Sequence, residues 1–332
     1  MLKSMKKSKY GVLLAPVLLI LLVQCNTDPA MPGGEIITMP EKKSVLLPNG
    51  ENYCYIEQIP PDFPPGGDTL LLLHGNFASS VHFAPLFRYL DNVRIVAPDM
   101  RGFGDSSYNN EFSALVELAD DIKLFAEALN ISKAHVVGWS MGGGIALELA
   151  VKYPELVSSL FIIEGMSHKG MPFFKVTTNT SPVPYSNKEE MAQFPVLALQ
   201  LSALEARDAG FFEQSWNMTI YNRKKPKAAE NRIYIAETLK QRCLIDVYWA
   251  LAWFNMSGEH NGYVQGSGTI GSIGCPVTFT SAANDLIITP PVIRENAAAI
   301  PGSRLLIYNN CGHSPMVDIP ARLASDILKH IR

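Results

Sequence analysis

The chain has 332 residues, of which 47% are hydrophobic and 18% are charged, and its formal net charge at pH 7 is −3. This composition is typical of a globular protein, and the length suits one large domain or a domain with an insertion. The absence of a basic surplus argues against a nucleic-acid-binding protein. The seven histidines are scattered without a spacing such as HExxH, so the sequence predicts no metal site and no cofactor.

The N-terminus carries lysines followed by an apolar run of 13 residues, Gly11 to Val23. This run is short for a bilayer span and predicts a signal peptide over residues 1–24; a membrane-anchoring helix is the alternative. The next residues, LLVQC, resemble a bacterial lipoprotein signal, in which the cysteine, here Cys25, is acylated. Gln24 departs from the small residue that is usual before that cysteine. We therefore expect an exported protein, either anchored to a membrane surface through Cys25 or periplasmic or secreted.

The composition then changes to a Pro-, Gly- and Thr-rich stretch, and residues 25–43 are predicted to be a linker. The following segment, KKSVLLPNGENYCYIEQ, predicts a hairpin that turns at Asn49 and Gly50. Beyond it, apolar strands alternate with helices, and each strand is apolar on both faces. This alternation predicts a parallel sheet that is covered by helices on both sides. The predicted strands are 69–75, 93–99, 134–139 and 158–165, and the predicted helices are 83–90, 112–129 and 141–150.

The alternation stops over residues 166–274, which are predicted to be mostly helical and hold 14 of the 31 aromatic residues. Strands and helices resume afterwards. We therefore expect an α/β core in two parts, 44–165 and 275–332, with 166–274 inserted as a helical cap over the sheet. The helices predicted in the insertion include 189–207, 226–240 and 243–254, and the later elements are strand 276–282, helix 290–299, strand 304–308 and a final helix near 321–331.

The pentapeptide GWSMG places Ser140 between a predicted strand and a predicted helix with no room for a loop. Such a turn forces the serine toward positive φ, and Gly138 and Gly142 remove side chains that would collide across it. The hydroxyl then protrudes at a helix N-terminus, where developing negative charge is favoured. This pattern indicates a nucleophile; the alternative is a glycine-rich structural turn with an idle serine.

A nucleophilic serine needs a base and an orienting carboxylate. His313 follows the last predicted strand and Asp285 follows the strand before it. Because the carboxyl ends of parallel strands open on one face of a sheet, both side chains can face Ser140. Glu164, at the end of the strand before the cap, is a rival for the acid, and Asp285 could instead cap a helix.

The oxyanion of an acyl-transfer reaction needs preorganised donors. The backbone N–H groups of Met141, directly after the serine, and Asn76, after the predicted strand 69–75, are the candidates. His74 is predicted to hold this loop by hydrogen bonds, whereas His82 and His168 are predicted to be surface or cap residues. Four further cysteines could form disulfides or remain as buried thiols, and the spacing does not decide between these: Cys54, Cys243, Cys275 and Cys311.

Five motifs in order give the chain a resemblance to the α/β-hydrolase family, of the type with a helical cap. They are HGN (74–76), DMRGFGDS (99–106), GWSMGG (138–143), ND (284–285) and GHSP (312–315). The resemblance covers roughly 44–165 and 275–331. It implies a mostly parallel, eight-stranded type of sheet and gives Arg101 and Asp105 a structural role. Ser140 argues against haloalkane dehalogenases and epoxide hydrolases, which carry aspartate at that position.

The expected function is hydrolysis of carboxylic esters through an acyl-enzyme, with Ser140, Asp285 and His313 as the triad. The aromatic residues of the cap favour a small-molecule substrate with an apolar acyl group. Two alternatives remain. The same triad could act on an amide, lactone, thioester or carbon–carbon bond, or the protein could be a small-molecule-binding protein on a hydrolase scaffold.

Overall fold

The computed structural model describes residues 39–64, 66–176 and 181–332. The predicted signal peptide 1–24, Cys25 and most of the predicted linker lie outside these residues. None of the helices in the described residues is both long enough and apolar enough to cross a membrane.

Strands of the described chain form one large sheet and one small two-stranded ribbon. The strands are β1 (Lys42–Leu46), β2 (Asn52–Gln58), β3 (Thr69–Leu73), β4 (Arg94–Pro98), β5 (Ala134–Trp139), β6 (Val157–Ile163), β7 (Phe174–Lys175), β8 (Val183–Pro184), β9 (Val277–Ala282) and β10 (Arg304–Tyr308). The large sheet has eight strands in the order β1-β2-β4-β3-β5-β6-β9-β10, and β7 pairs with β8.

The large sheet is parallel except where β2 pairs antiparallel with β1 and with β4. The mostly parallel, eight-stranded sheet predicted from the resemblance is therefore confirmed. β1 and β2 form the predicted hairpin, and Gly50 adopts a φ of 86° in its turn, a conformation that glycine allows without strain. β1 begins at Lys42, inside the range predicted as linker.

Helices cover both faces of this sheet and fill the segment between β6 and β9. They are α1 (Ala84–Phe87), α2 (Leu115–Ala128), α3 (Met141–Lys152), α4 (Lys188–Met191), α5 (Pro195–Glu205), α6 (Ala209–Thr219), α7 (Ala228–Thr238), α8 (Leu244–Trp253), α9 (Pro290–Ala299), α10 (Pro315–Asp318) and α11 (Pro320–His330).

Side chains of β3 alternate between two hydrophobic layers. Leu71 and Leu73 pack in the layer that contains α2 and α3, whereas Leu70 and Leu72 pack in the layer that contains α1 and α11. This alternation follows from the period of two in a strand, and it explains why β3 is buried throughout and apolar at every residue after Thr69. Because β3, β5, β9 and β10 run parallel in this sheet, their carboxyl ends lie at the same edge.

The segment between β6 and β9, which we call the cap, is inserted between two neighbouring strands, since the chain leaves the sheet after β6 and returns at β9. The single helix predicted over 189–207 is instead two, α4 and α5. Phe194 has a ψ of 122° before Pro195, because a residue that precedes proline is driven out of the helical region. Helix α6 follows and was not singled out from the sequence; the side chain of Asp208 caps it by accepting from the N–H of Phe211 at 2.9 Å.

A half-buried lysine joins the first strand to the cap. The ammonium of Lys42 donates to Asp99 at 2.8 Å, to Asp105 at 2.7 Å and to Glu237, at the end of α7, at 2.8 Å. Lys240 donates to two of these three acids, Asp105 at 2.7 Å and Glu237 at 2.6 Å. We call these five residues the Lys42 network, and it ties together β1, the loop after β4 and the cap.

Charge pairing within the Lys42 network outweighs the cost of burial. Burial alone would lower the pKa of Lys42, but the charge of Asp99 and hydrogen bonds to three carboxylates raise it. Burial alone would raise the pKa of Glu237, but hydrogen bonds from Lys240 and Lys42 lower it below its usual 4.5. Lys42 and Glu237 are therefore both held in their charged forms in the folded protein.

Replacing Lys42 by methionine should lower the free energy of unfolding by about 3 kcal/mol, because it leaves the carboxylate of Asp99 buried without its cation. The neighbouring Lys43 offers a matched control, since its side chain is 55% exposed and pairs with Glu57. Lys43→Met should cost less than about 1 kcal/mol. Urea denaturation measures both, and equal losses would contradict the role assigned to Lys42.

The Lys42 network also predicts that the free energy of unfolding depends on pH. Because the pKa of Glu237 is lower in the folded protein than its usual 4.5, the unfolded chain binds more protons as the pH falls below about 4.5. The free energy of unfolding should therefore fall with pH in that range. Lys42→Met has lost one of the cations that lower the pKa of Glu237. Its free energy of unfolding should therefore fall less steeply below pH 4.5 than that of the wild type. Urea denaturation at a series of pH values measures both.

Candidate active site

The turn at Ser140 joins β5 directly to α3, as predicted. Ser140 has a φ of 55° and a ψ of −119°, a strained conformation for a residue with a Cβ. A Cβ on Gly138 would lie 2.4 Å from the carbonyl oxygen of Gly142, and one on Gly142 would lie 2.1 Å from that of Leu73. Only glycine fits either position, so these two residues allow the turn to close and hold the serine at the sheet edge.

Asp285 and His313 meet at this same edge, on the loops that follow β9 and β10. The Nδ1 atom of His313 lies 2.7 Å from Oδ2 of Asp285, and both side chains are buried. The other carboxylate oxygen accepts from the N–H groups of Ile287 at 2.7 Å and Ile288 at 2.9 Å. The carboxylate is thus fixed by the backbone and in turn fixes the imidazole, with Nε2 on the opposite side of the ring.

Glu164, the rival acid, has different partners. Its carboxyl accepts from the hydroxyl of Thr280 and from the N–H of Ala282, both at 2.8 Å. Burial, together with the nearby charge of Asp285, raises its pKa well above the usual value. The structure therefore brings Asp285, and not Glu164, to the imidazole of His313.

Trp139 connects the serine turn to the histidine loop. Its indole N–H donates to the carbonyl of His313 at 2.8 Å, and the two rings lie 5.8 Å apart between centroids. The hydroxyl of Ser140 makes no hydrogen bond to any residue in the described ranges, so its bond to His313 is not formed here. Such bonds are often loose in unliganded sites and tighten when substrate binds.

Both predicted oxyanion donors lie free beside the serine. The chain passes so close at Gly75 that a Cβ there would be 3.0 Å from Cβ of Ser140. In the part of the chain that the structure describes, the N–H groups of Asn76 and Met141 have no acceptor. Two unoccupied donors next to a protruding hydroxyl form an arrangement that can accept developing negative charge.

Two cap residues that the sequence did not point to hold the Asn76 loop in place. Gln241 donates to the side-chain oxygen of Asn76 at 2.8 Å and accepts from the N–H of Phe77 at 3.1 Å. The hydroxyl of Thr238 donates to the carbonyl of Phe77 at 2.7 Å. Phe77 has a φ of 60°, so the loop needs such external support. No short-range signal could reveal this, because more than 150 residues separate the partners.

The predictions for three histidines have different outcomes. His74 holds the loop as predicted: its Nε2 accepts from the N–H of Met100 at 3.0 Å and its Nδ1–H donates to the carbonyl of Gly75 at 2.8 Å. The prediction that His82 and His168 are surface or cap residues is wrong for His82. It belongs to the core segment and is buried, because the 3₁₀-helix Ser80–Phe83 packs beneath α7. His168 starts the cap segment but is also buried, against Asn296.

The remaining predicted positions are structural. Arg101 forms a bidentate ion pair with Asp121, at 2.7 and 2.6 Å, and Asp105 belongs to the Lys42 network. Of the two possibilities left open for the cysteines, the structure has unpaired thiols at the four described positions: Cys54, Cys243, Cys275 and Cys311.

Comparisons with known proteins identify the family. The profile described as "alpha/beta hydrolase fold" matches residues 68–320. Lipase 3 of Moraxella sp. (strain TA144) is 24% identical over 303 residues, which cover 86% of this chain and 83% of that lipase. Lipase 1 of Psychrobacter immobilis is 24% identical over 289 residues, covering 84% and 80%.

Among solved structures, an esterase from Exiguobacterium antarcticum superposes with a TM-score of 0.66 at 16% identity, covering 88% of this chain and 99% of that esterase. The fold, the motifs in their order and the profile match lead to one conclusion. The chain belongs to the α/β-hydrolase fold family and is a hydrolase.

Proposed function

We propose that the protein is a serine hydrolase that cleaves carboxylic esters through an acyl-enzyme, with Ser140 as nucleophile, His313 as general base and Asp285 as the orienting acid. One observation carries this proposal: Asp285 and His313 form a 2.7 Å pair, and the carbonyl of His313 accepts from the indole of Trp139, the residue before a serine held at a φ of 55°. That combination matches the geometry by which a base activates a hydroxyl nucleophile.

In the first half of the proposed reaction, Oγ of Ser140 attacks the ester carbonyl carbon while Nε2 of His313 takes the hydroxyl proton. Asp285, which bonds Nδ1, stabilises the imidazolium that forms. The negative charge that develops on the carbonyl oxygen accepts hydrogen bonds from the N–H groups of Asn76 and Met141. The intermediate then expels the alcohol, which receives the proton from His313.

In the second half, water attacks the acyl-enzyme with His313 again acting as base, and the acid leaves as Ser140 recovers its proton. Gln241 and Thr238 are positioning residues in this scheme. They bond the loop that carries Asn76 and hold its N–H group where the oxyanion forms.

An apolar acyl group suits the aromatic side chains that pack around the ring of Trp139, directly next to the serine in the chain. The ring of Trp216 lies 6.4 Å from that of Trp139, the residue before Ser140, and 5.2 Å from that of Tyr221. Relatives named lipases support a hydrophobic ester as substrate. We therefore propose a carboxylesterase or lipase-like enzyme.

We also propose that residues 1–24 are a signal peptide, that Cys25 is lipidated and that the protein is anchored to a membrane surface by this lipid. The division into a linker 25–43, core parts 44–165 and 275–332 and a cap 166–274 belongs to the same proposal. Mass spectrometry of the mature N-terminus tests the first two points, because an acylated Cys25 adds the mass of its acyl chains. An intact N-terminus with unmodified Cys25 would contradict both.

Replacing Ser140 by alanine should abolish covalent labelling by a fluorophosphonate probe and lower kcat by about 10⁴-fold or more, because no other hydroxyl is activated. Gel fluorescence measures the labelling. Ser281→Ala is the matched control, since Ser281 is a buried strand serine whose hydroxyl has no hydrogen-bond partner. The assignment fails if Ser140→Ala labels as strongly as this control.

The choice of acid gives a second test. Asp285→Asn should lower kcat by about 10³- to 10⁴-fold, because the amide no longer holds the imidazole in the tautomer that accepts the serine proton. Glu164→Gln keeps the shape of the other buried acid and should change kcat by less than about tenfold. Steady-state hydrolysis of a 4-nitrophenyl ester compares the two variants, and the reverse order of effects would make Glu164 the acid.

A further inference from the structure

The buried polar atoms without a hydrogen-bond partner in the described structure include Nε2 of His82 and the hydroxyl of Tyr234. His82 is 4% exposed and Tyr234 is 1% exposed. Their rings stack, with centroids 4.8 Å apart and an angle of 27° between planes. His82 lies on the core side and Tyr234 lies in α7 of the cap, so the pair spans the boundary between them.

Both atoms are hydrogen-bond donors. Nδ1 of His82 accepts from the N–H of Ser79 at 3.1 Å, which leaves the ring proton on Nε2. Burial lowers the pKa of His82 to about 3, so the ring is neutral at pH 7. Burial, together with the charge of Glu230 one turn earlier in α7, raises the pKa of Tyr234, so its phenol keeps its proton.

The pair is linked to Ser140 and His313 through the side chain of Trp139. The ring of His82 lies 5.2 Å from that of Trp216 and 6.3 Å from that of Trp139, the residue before Ser140. The same indole of Trp139 contacts the ring of His313. The two donors therefore lie next to the rings of Trp139, Trp216 and Tyr221, to which the proposed function assigns the acyl group and which we call the aromatic wall.

Unpaired buried donors are costly, and natural proteins satisfy them with protein, water or ligand. Because each donor points outward in the plane of its ring, an oxygen acceptor at the edge of the stacked pair would satisfy both. The neighbouring charge of Glu230 disfavours an anion there, which leaves a neutral oxygen as the fitting chemistry.

We propose that His82 and Tyr234 form a polar subsite that binds a second, neutral oxygen in the acyl chain of the ester, an ether, carbonyl or hydroxyl oxygen. This inference rests on the proposed esterase function. The enzyme then prefers oxygen-containing acyl chains to plain alkyl chains of the same length, because an alkyl chain leaves both donors unpaired.

The experiment uses 4-nitrophenyl hexanoate and its oxa-isomers, in which each chain methylene from C3 to C5 is replaced in turn by oxygen. Values of kcat/KM are divided by the rate of hydroxide hydrolysis of each ester to remove intrinsic reactivity. The wild type should prefer at least one oxa-isomer to the hexanoate by about tenfold, as a hydrogen-bonded acceptor is worth roughly that ratio.

Tyr234→Phe removes only the hydroxyl, and His82→Asn removes the Nε2 donor while keeping an acceptor for the N–H of Ser79. Each should reduce the preference for the favoured oxa-isomer over the hexanoate to less than about threefold. Tyr248→Phe is the control, because it removes a buried cap hydroxyl that already has a partner, Gln200 at 2.6 Å. Fluorophosphonate labelling confirms that each variant is folded.

The outcomes separate the two proposals. A wild type that hydrolyses the esters without preferring any oxa-isomer overturns the subsite and leaves the esterase function intact. Equal preference in Tyr234→Phe and Tyr248→Phe also overturns it and assigns the donors to bound water. If the wild type hydrolyses none of these esters, the proposed function fails and the subsite falls with it.

Discussion

The turn that carries Ser140 is the constraint on which the rest of the site depends. A residue with a Cβ is held at a φ of 55° because the backbone on either side has no space to relax. Gly142 packs against the carbonyl of Leu73 at the end of β3, so the turn is locked to the neighbouring strand. That contact also sets the serine beside Gly75, and the loop with its free Asn76 N–H is thereby placed at the hydroxyl.

The sequence predicted the parts of the molecule that depend on local patterns. The strand-to-helix turn at Ser140 and the apolar strands follow from short-range periodicity, and Asp285 and His313 were expected at one sheet edge because parallel strands share a direction. The burial of His82 was missed because a single histidine between Val81 and Phe83, in a short turn of helix, has no period to indicate its face. The break before Pro195 was detectable in principle, since proline restricts the residue before it.

The contacts between cap and core were beyond prediction for a physical reason. Lys42 and Glu237, or Phe77 and Gln241, are brought together by the path of the chain through the whole fold, and nothing in their immediate neighbours encodes the pairing. These contacts nevertheless affect the candidate active site, because each pair includes a residue of α7 or one just after it. The cap thus supports the loop that holds Asn76 and contributes Trp216 to the rings packed around Trp139.

This shared use of α7 limits how the cap can be exchanged. A chimaera that received the whole helical insertion of a relative would gain a new aromatic wall but lose Gln241 and Thr238. Its Asn76 loop would then have to keep Phe77 at a φ of 60° without the hydrogen bonds from these two residues. Grafts that keep residues 237–241 from this chain would preserve the support of that loop while changing the rest of the wall. In this protein, the border of a transferable cap therefore runs through α7 and not at the ends of the insertion.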